Sequence, residues 1–189
     1  GGGFMYTGYA GDLFENQISS EEVFSGRLLH VFRDEVSLPD GSTSVREVIR
    51  HNGAVCIIPI TQNNEVIMVE QFRYPFNRIV LELPAGKLDG PGEDPLEAAK
   101  RELSEETGYT ADRWTKLGVY LPSCAYSSEQ IYVYMARGLH EGEQRLDRGE
   151  FLRFKTVPIE HLIDDIMNNR IQDGKTQMGI LKAARKIGY

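Results

Sequence analysis

The run EDPLEAAKRELSEETGY at 93–109 constrains this chain more than any other segment, because it marks a helix at both ends. Asp94 can cap the first turn, Pro95 takes the favoured first helical position, and Glu97 completes a D-x-x-E capping box. Leu96, Ala99 and Leu103 form an apolar stripe at i, i+3 and i+7, and Gly108 is a C-terminal stop. A stripe of that kind needs a surface to cover it. IVLELPAG at 79–86 predicts a short strand ending in a Pro/Gly turn immediately before the helix, so a helix laid on a sheet is the expected local unit.

The flanking sequence supplies the rest of the sheet. Residues 23–49 predict two or three strands: VFSGRLLHVFRDEVSL, a turn at Pro39-Asp40-Gly41, then STSVREVI with alternating character. AVCIIPI (54–60) and EVIMVEQF (65–72) flank QNN and predict a hairpin. Further strands are expected around 115–121, at IYVYMARG (131–138) and at FLRFKTV (151–157), then helices over 158–168 and roughly 175–186. Strands interleaved with a few helices indicate an α/β or α+β layered fold, and 189 residues suffice for one domain with a sizeable core.

Composition narrows the class of partner. A formal net charge of −7 argues against a nucleic-acid backbone, whose binders present a basic face. The two cysteines, Cys56 and Cys124, lie far apart and suggest neither a disulfide framework nor a zinc cluster. The longest apolar stretch, GAVCIIPI at 53–60, is too short to span a bilayer. No secretory signal is visible, so no membrane partner and a cytoplasmic location are expected. Gly1–Gly3 read as a flexible end.

Six acids fall between 93 and 106: Glu93, Asp94, Glu97, Glu102, Glu105 and Glu106. At about 100° per residue, Glu102 and Glu106 lie about 40° apart and Glu105 about 60° from Glu102, which predicts that all three point away from the Leu96/Leu103 stripe into one region. Like charges 6 Å apart repel by about 0.7 kcal/mol in water and about 2.8 kcal/mol at an effective dielectric near 20. A solvated helix tolerates the smaller figure, so acid spacing alone is equally consistent with a plain acidic surface. Magnesium, however, takes a few hard carboxylate oxygens and leaves its remaining positions to water and substrate phosphates. The glycine-rich PAGKLDGPGE turn brings backbone close to such a site, and Arg101 can pair with Glu93 to hold turn against helix.

Gly86, Glu93, Arg101, Glu102, Leu103, Glu105, Glu106, Gly108 and Tyr109 together resemble the Nudix box of the Nudix hydrolases. One departure is visible: six residues, 87–92, separate Gly86 from Glu93 where the family has five. The insertion falls in the loop and leaves the helical spacing intact. The resemblance implies a Nudix-type α/β/α sandwich with a mixed central sheet, preceded by a small N-terminal antiparallel β segment. The implied divisions are a flexible segment at 1–22, the β segment at 23–49 and a catalytic domain at 50–189. It further implies that Glu102 and Glu106, with the Ala85 carbonyl, bind the catalytic metal, Mg2+ or alternatively Mn2+. Glu105 resembles the position that joins them through a water or a further metal, and Arg101 belongs to the same catalytic group.

VREVIRHNGAVCIIP (45–59), EQFRYP (70–75), LELPAG (81–86), LPSCAYSSEQIYVYMA (121–136) and DGKT (173–176) resemble the ADP-ribose pyrophosphatase branch of that family. Pro122-Ser123-Cys124-Ala125 departs from the branch's usual P-S-P-G. The branch implies Mg2+-dependent hydrolysis of ADP-ribose to AMP and ribose 5-phosphate. Glu129 matches its general base or an additional metal contact. Arg73 resembles a residue on the substrate's diphosphate, Arg50 is comparable, and Glu82 supports a metal-bound water or the Arg73 side chain. Phe32 or Tyr74 can stack on a purine, while His51 reads as an ordinary strand-end histidine. The expected partner is a small nucleotide-sugar substrate, and the branch implies a homodimer with exchanged N-terminal strands. Two alternatives stay open: another nucleoside diphosphate sugar such as GDP-mannose, and a Nudix module that binds ADP-ribose without cleaving it.

Overall fold

A computed structural model describes residues 13–90 and 92–189. It divides into two compact units: the described residues up to His51 with Ser123–Ser128, and Asn52–Pro122 with Glu129–Tyr189.

The first unit is a three-stranded antiparallel sheet of β1 (Asn16–Ser25), β2 (His30–Ser37) and β3 (Thr43–Arg50), in that order. The β2–β3 connection turns at the predicted Pro39-Asp40-Gly41. Asp40 Oδ1 accepts from the Ser42 backbone at 2.9 Å, and Gly41 takes a positive φ of 85°. β1 starts at Asn16, ahead of the expected start at 23, and is exposed along its whole length. Its sequence, NQISSEEVFS, alternates too weakly to announce a strand. The loop 123–128 joins this unit by backbone bonds: Ile49 N donates to Tyr126 O at 2.7 Å, and Ser128 N to Ile49 O at 2.9 Å.

The second unit is built on a mixed sheet. Its main path runs β10 (Leu152–Pro158), β5 (Glu65–Arg73), β4 (Ala54–Ile60), β9 (Ile131–His140), β8 (Thr110–Tyr120), with β6 (Arg78–Glu82) on β5 and β7 (Ala85–Lys87) on β4. Every residue of β4 is buried, which explains its unbroken apolar run: both faces of this central strand are covered. Val55 and Ile57 pack with Ala98, Ala99 and Leu103 of α1 (Pro95–Thr107). Ala54, Cys56, Ile58 and Ile60 face the other way, toward Leu162 of α2 (Ile159–Met167) and Ile180 and Ala183 of α3 (Gly174–Ile187). Period-two alternation along one strand therefore creates two cores, and the result is the expected α/β/α sandwich.

Three local expectations change. The 54–60 and 65–72 segments do not form a regular hairpin, for only Ile60 and Val66 pair. β4 instead pairs in parallel with β9 over its whole length and antiparallel with β7. The chain after Pro84 is more than a turn, because Ala85–Lys87 re-enters the sheet as β7. Glu97 leaves its half of the capping box and pairs outward with Lys100 at 2.7 Å, while Asp94 caps as expected, accepting from Leu96 N at 2.7 Å.

Candidate active site

The site grows from the junction of β7 with α1. α1 ends at Gly108, whose φ of 77° closes the helix by a bond to Ser104 O, as its glycine predicts. The segment before β10 then satisfies the last open carbonyls of the helix. Arg145 N donates to Glu105 O at 2.9 Å, and the Gln144 side chain donates to Glu106 O.

The three helix acids have different fates. Glu106 is only 3% exposed, and its Oε2 accepts from the Ala85 backbone N at 3.1 Å. The expectation that it points away from the apolar stripe is therefore corrected. Seven residues from Ala99, it comes back to within about 20° of that buried position and stands on the stripe itself. Glu102 lies directly over Gly86: a Cβ built there would collide with the Glu102 carboxylate, so glycine leaves room for the carboxylate in this position. Glu105 is the most open, with its side chain 33% exposed.

Arg101 ties the loop to the helix. Its guanidinium meets Glu102 at 2.9 Å, Glu105 at 3.1 Å and Glu93 at 3.3 Å, and also donates to Lys87 O at 3.4 Å. Glu93 in turn accepts from Asp89 N at 2.6 Å, so it is gripped from both sides and the longer loop still delivers it to Arg101. Burial works against the Arg101 charge, but Glu102, Asp89 and Glu93 outweigh it and raise its pKa. All these contacts are to the protein's own acids and backbone, which makes Arg101 a positioning residue.

Burial pushes Glu102 up to about 7, against the opposing pull of Arg101. Burial and then the Glu102 charge push Glu106 up to about 8. Two neighbouring carboxylates whose burial opposes ionisation form a donor set suited to a divalent cation. Among the described residues, no group of three or more His, Cys, Asp or Glu gathers to hold a metal ion. Glu102 and Glu106 offer carboxylate oxygens of the kind that hard divalent cations take.

The remaining candidates fall into separate groups. Arg73 and Glu82 meet in a two-pronged pair at 2.7 and 2.9 Å, with Glu82 buried. Arg50 and Phe32 are together in the first unit. There the Arg50 guanidinium lies 3.8 Å from the Phe32 ring centroid and also bonds Asp34 at 3.2 Å and Ser20 at 3.0 Å. One face of Phe32 is thus already covered, whereas Tyr74 is fully open at 86% exposure. Glu129 sits half-buried just before β9.

Sequence reading missed two features. The charge of Glu150, in the segment before β10, raises both Glu102 and Glu106, so this carboxylate acts on the acid pair; nothing in DRGEF announced it. Lys175 bridges Glu82 and Asp173, with Nζ 2.6 Å from Glu82 and 2.9 Å from Asp173. A lysine in the first turn of a helix, where the dipole disfavours a cation, was the available signal.

Residues 50–176 match the Nudix domain, and residues 15–49 match the nucleoside diphosphate sugar hydrolase N-terminal domain. This chain belongs to the Nudix family. It is 42% identical over 173 residues to the methanol dehydrogenase activator of Bacillus methanolicus, covering 90% of this chain and 93% of that protein. It is 38% identical over 170 residues to the ADP-ribose pyrophosphatase of Bacillus subtilis (strain 168), covering 89% and 91%. A solved structure described as an ADP compounds hydrolase superposes with a TM-score of 0.81, covering 92% of this chain and 96% of that one; at 24% identity it speaks for the fold.

Proposed function

We propose that this protein is a divalent-metal-dependent hydrolase that cleaves ADP-ribose to AMP and ribose 5-phosphate. The observation that carries the reading is the pair of Glu106, buried and bonded to the β7 backbone, and Glu102, half-buried over Gly86, both with raised pKa values. The relative named ADP-ribose pyrophosphatase supports the substrate.

Glu102, Glu106 and the Ala85 carbonyl would hold the cation, taken to be Mg2+ with Mn2+ as a substitute. When bound, it supplies positive charge to the diphosphate and acidifies water. The chain's own groups account for the remaining work. Arg73 keeps donors beyond the two that Glu82 uses, and its side chain is 40% exposed, so it can grip a diphosphate oxygen. Glu105, held by Arg101, stands beside the pair to orient water. A carboxylate takes the proton as the water oxygen bonds to one phosphorus and the bridging oxygen–phosphorus bond breaks; the bridging oxygen leaves with the other phosphate. Glu129 has the resemblance in its favour for that base, and Glu150 has its electrostatic reach to both metal acids. Arg50 and Phe32 are proposed to face the nucleoside.

Incubating the purified protein with ADP-ribose and Mg2+ and identifying products by chromatography tests the reading. AMP and ribose 5-phosphate in equal amounts are expected. A strong preference for GDP-mannose would change the substrate, and saturable binding without products would make the protein a binding module.

A further inference from the structure

Lys175 is a largely enclosed cation that none of the steps above employs. It stands in the first turn of α3, with its side chain 12% exposed. Helix dipole and burial both oppose a charge there. Two carboxylates hold it in place: Asp173, the N-cap of α3, and Glu82 at the end of β6. Asp173 is itself fixed by Thr176, through its backbone N at 3.0 Å and its hydroxyl at 2.6 Å. Thr176 Oγ1 also accepts from Leu83 N at 3.0 Å, pinning the residue after Glu82 to the same helix end.

The pattern at Glu82 is specific. Its Oε1 accepts from both Lys175 Nζ (2.6 Å) and Arg73 Nη2 (2.9 Å), and its Oε2 accepts from Arg73 Nε (2.7 Å). A two-pronged pair fixes the guanidinium plane only if the carboxylate cannot turn about its own axis. Lys175 supplies the third contact that stops it.

We propose that Lys175 is a positioning residue for the substrate's diphosphate, acting through Glu82 to fix the Arg73 guanidinium. The inference rests on the hydrolase reading and extends it to the α3 side of the sheet. A purely structural lysine, neutralising Glu82, would affect stability and leave substrate affinity alone.

The test is a cycle of Lys175→Met and Arg73→Ala, singly and together, with KM and kcat for ADP-ribose at a temperature where each variant is folded. Lys175→Met is expected to raise KM about tenfold, the scale of one lost charge-assisted bond, with kcat little changed. In the Arg73→Ala background it should add nothing further to KM. If Lys175→Met does not fold, Lys175→Arg keeps the charge and alters the contact, and the same dependence on Arg73 is expected. An unchanged KM in a folded variant, an equal factor in both backgrounds, or no KM effect from Arg73→Ala would each overturn the proposal. Turnover by the wild type separates this from the function itself. A wild type that binds ADP-ribose without cleaving it ends the hydrolase reading, and Kd by calorimetry then replaces KM in the same cycle. A wild type that does neither ends both.

Discussion

Glu102 and Glu106 hold their protons more tightly in the folded chain, at about 7 and about 8, than an ordinary glutamate at 4.5. Between those limits the folded state carries more protons than the unfolded one, so in metal-free protein their contribution to stability falls as pH rises. Thermal unfolding in chelator should therefore show a midpoint that drops from about pH 4.5 to about pH 8. Glu106→Gln should flatten that drop, and Mg2+ should counter it in the wild type by binding the ionised pair. Parallel slopes in wild type and variant would remove the buried pair as the cause. The same substitution should cut turnover by at least about a hundredfold with the circular dichroism spectrum retained, because a ligand charge is lost while shape is kept. Glu129→Gln and Glu150→Gln separate the two candidate bases. The true base should lose about a hundredfold or more in kcat with metal affinity little changed, whereas a ligand should show weakened metal binding in titration calorimetry.

The elements matter here by how closely they approach one another. β7 and α1 meet where Gly86 has no side chain and Glu102 fills the space. Gly86→Ala should force that carboxylate aside, weakening Mg2+ binding while leaving stability little changed, because only the end of a flexible side chain has to move. Isothermal calorimetry and chemical denaturation check the two halves, and unchanged metal affinity would mean that Glu102 is not a ligand. At this scale the sequence was informative where signals are local. The cap Asp94, the stop Gly108 and the two C-terminal helices were readable because each depends on residues within one turn. The short reach of the 54–72 hairpin, paired only next to its turn, was not, because β4 finds its main partner in β9, more than seventy residues away along the chain. Period-two alternation gives no means of choosing between neighbours at that separation.

At the scale of the whole molecule, β1 presents Ile18, Val23 and Phe24 to solvent, each more than half exposed, within a strand that is open from end to end. An exposed strand edge with apolar side chains favours pairing with another chain. On this ground we propose the homodimer with exchanged N-terminal strands that the family resemblance implies. Light scattering should give twice the chain mass, and Ile18→Asp with Phe24→Asp should shift it toward the single chain; a monomeric wild type would sink the idea. The helix that carries the acids, its cap and stop, and the strand at 79–82 were determined by sequence alone, since spacing along a helix fixes angles without reference to anything else. Tertiary structure decided what those angles meant. It placed Glu106 inside the protein rather than on its surface, brought Glu150 within electrostatic reach, and set Lys175 against Glu82 across 93 residues of chain. Burial and long-range charge pairing arise only when distant segments share one low-dielectric space, and no local pattern encodes that.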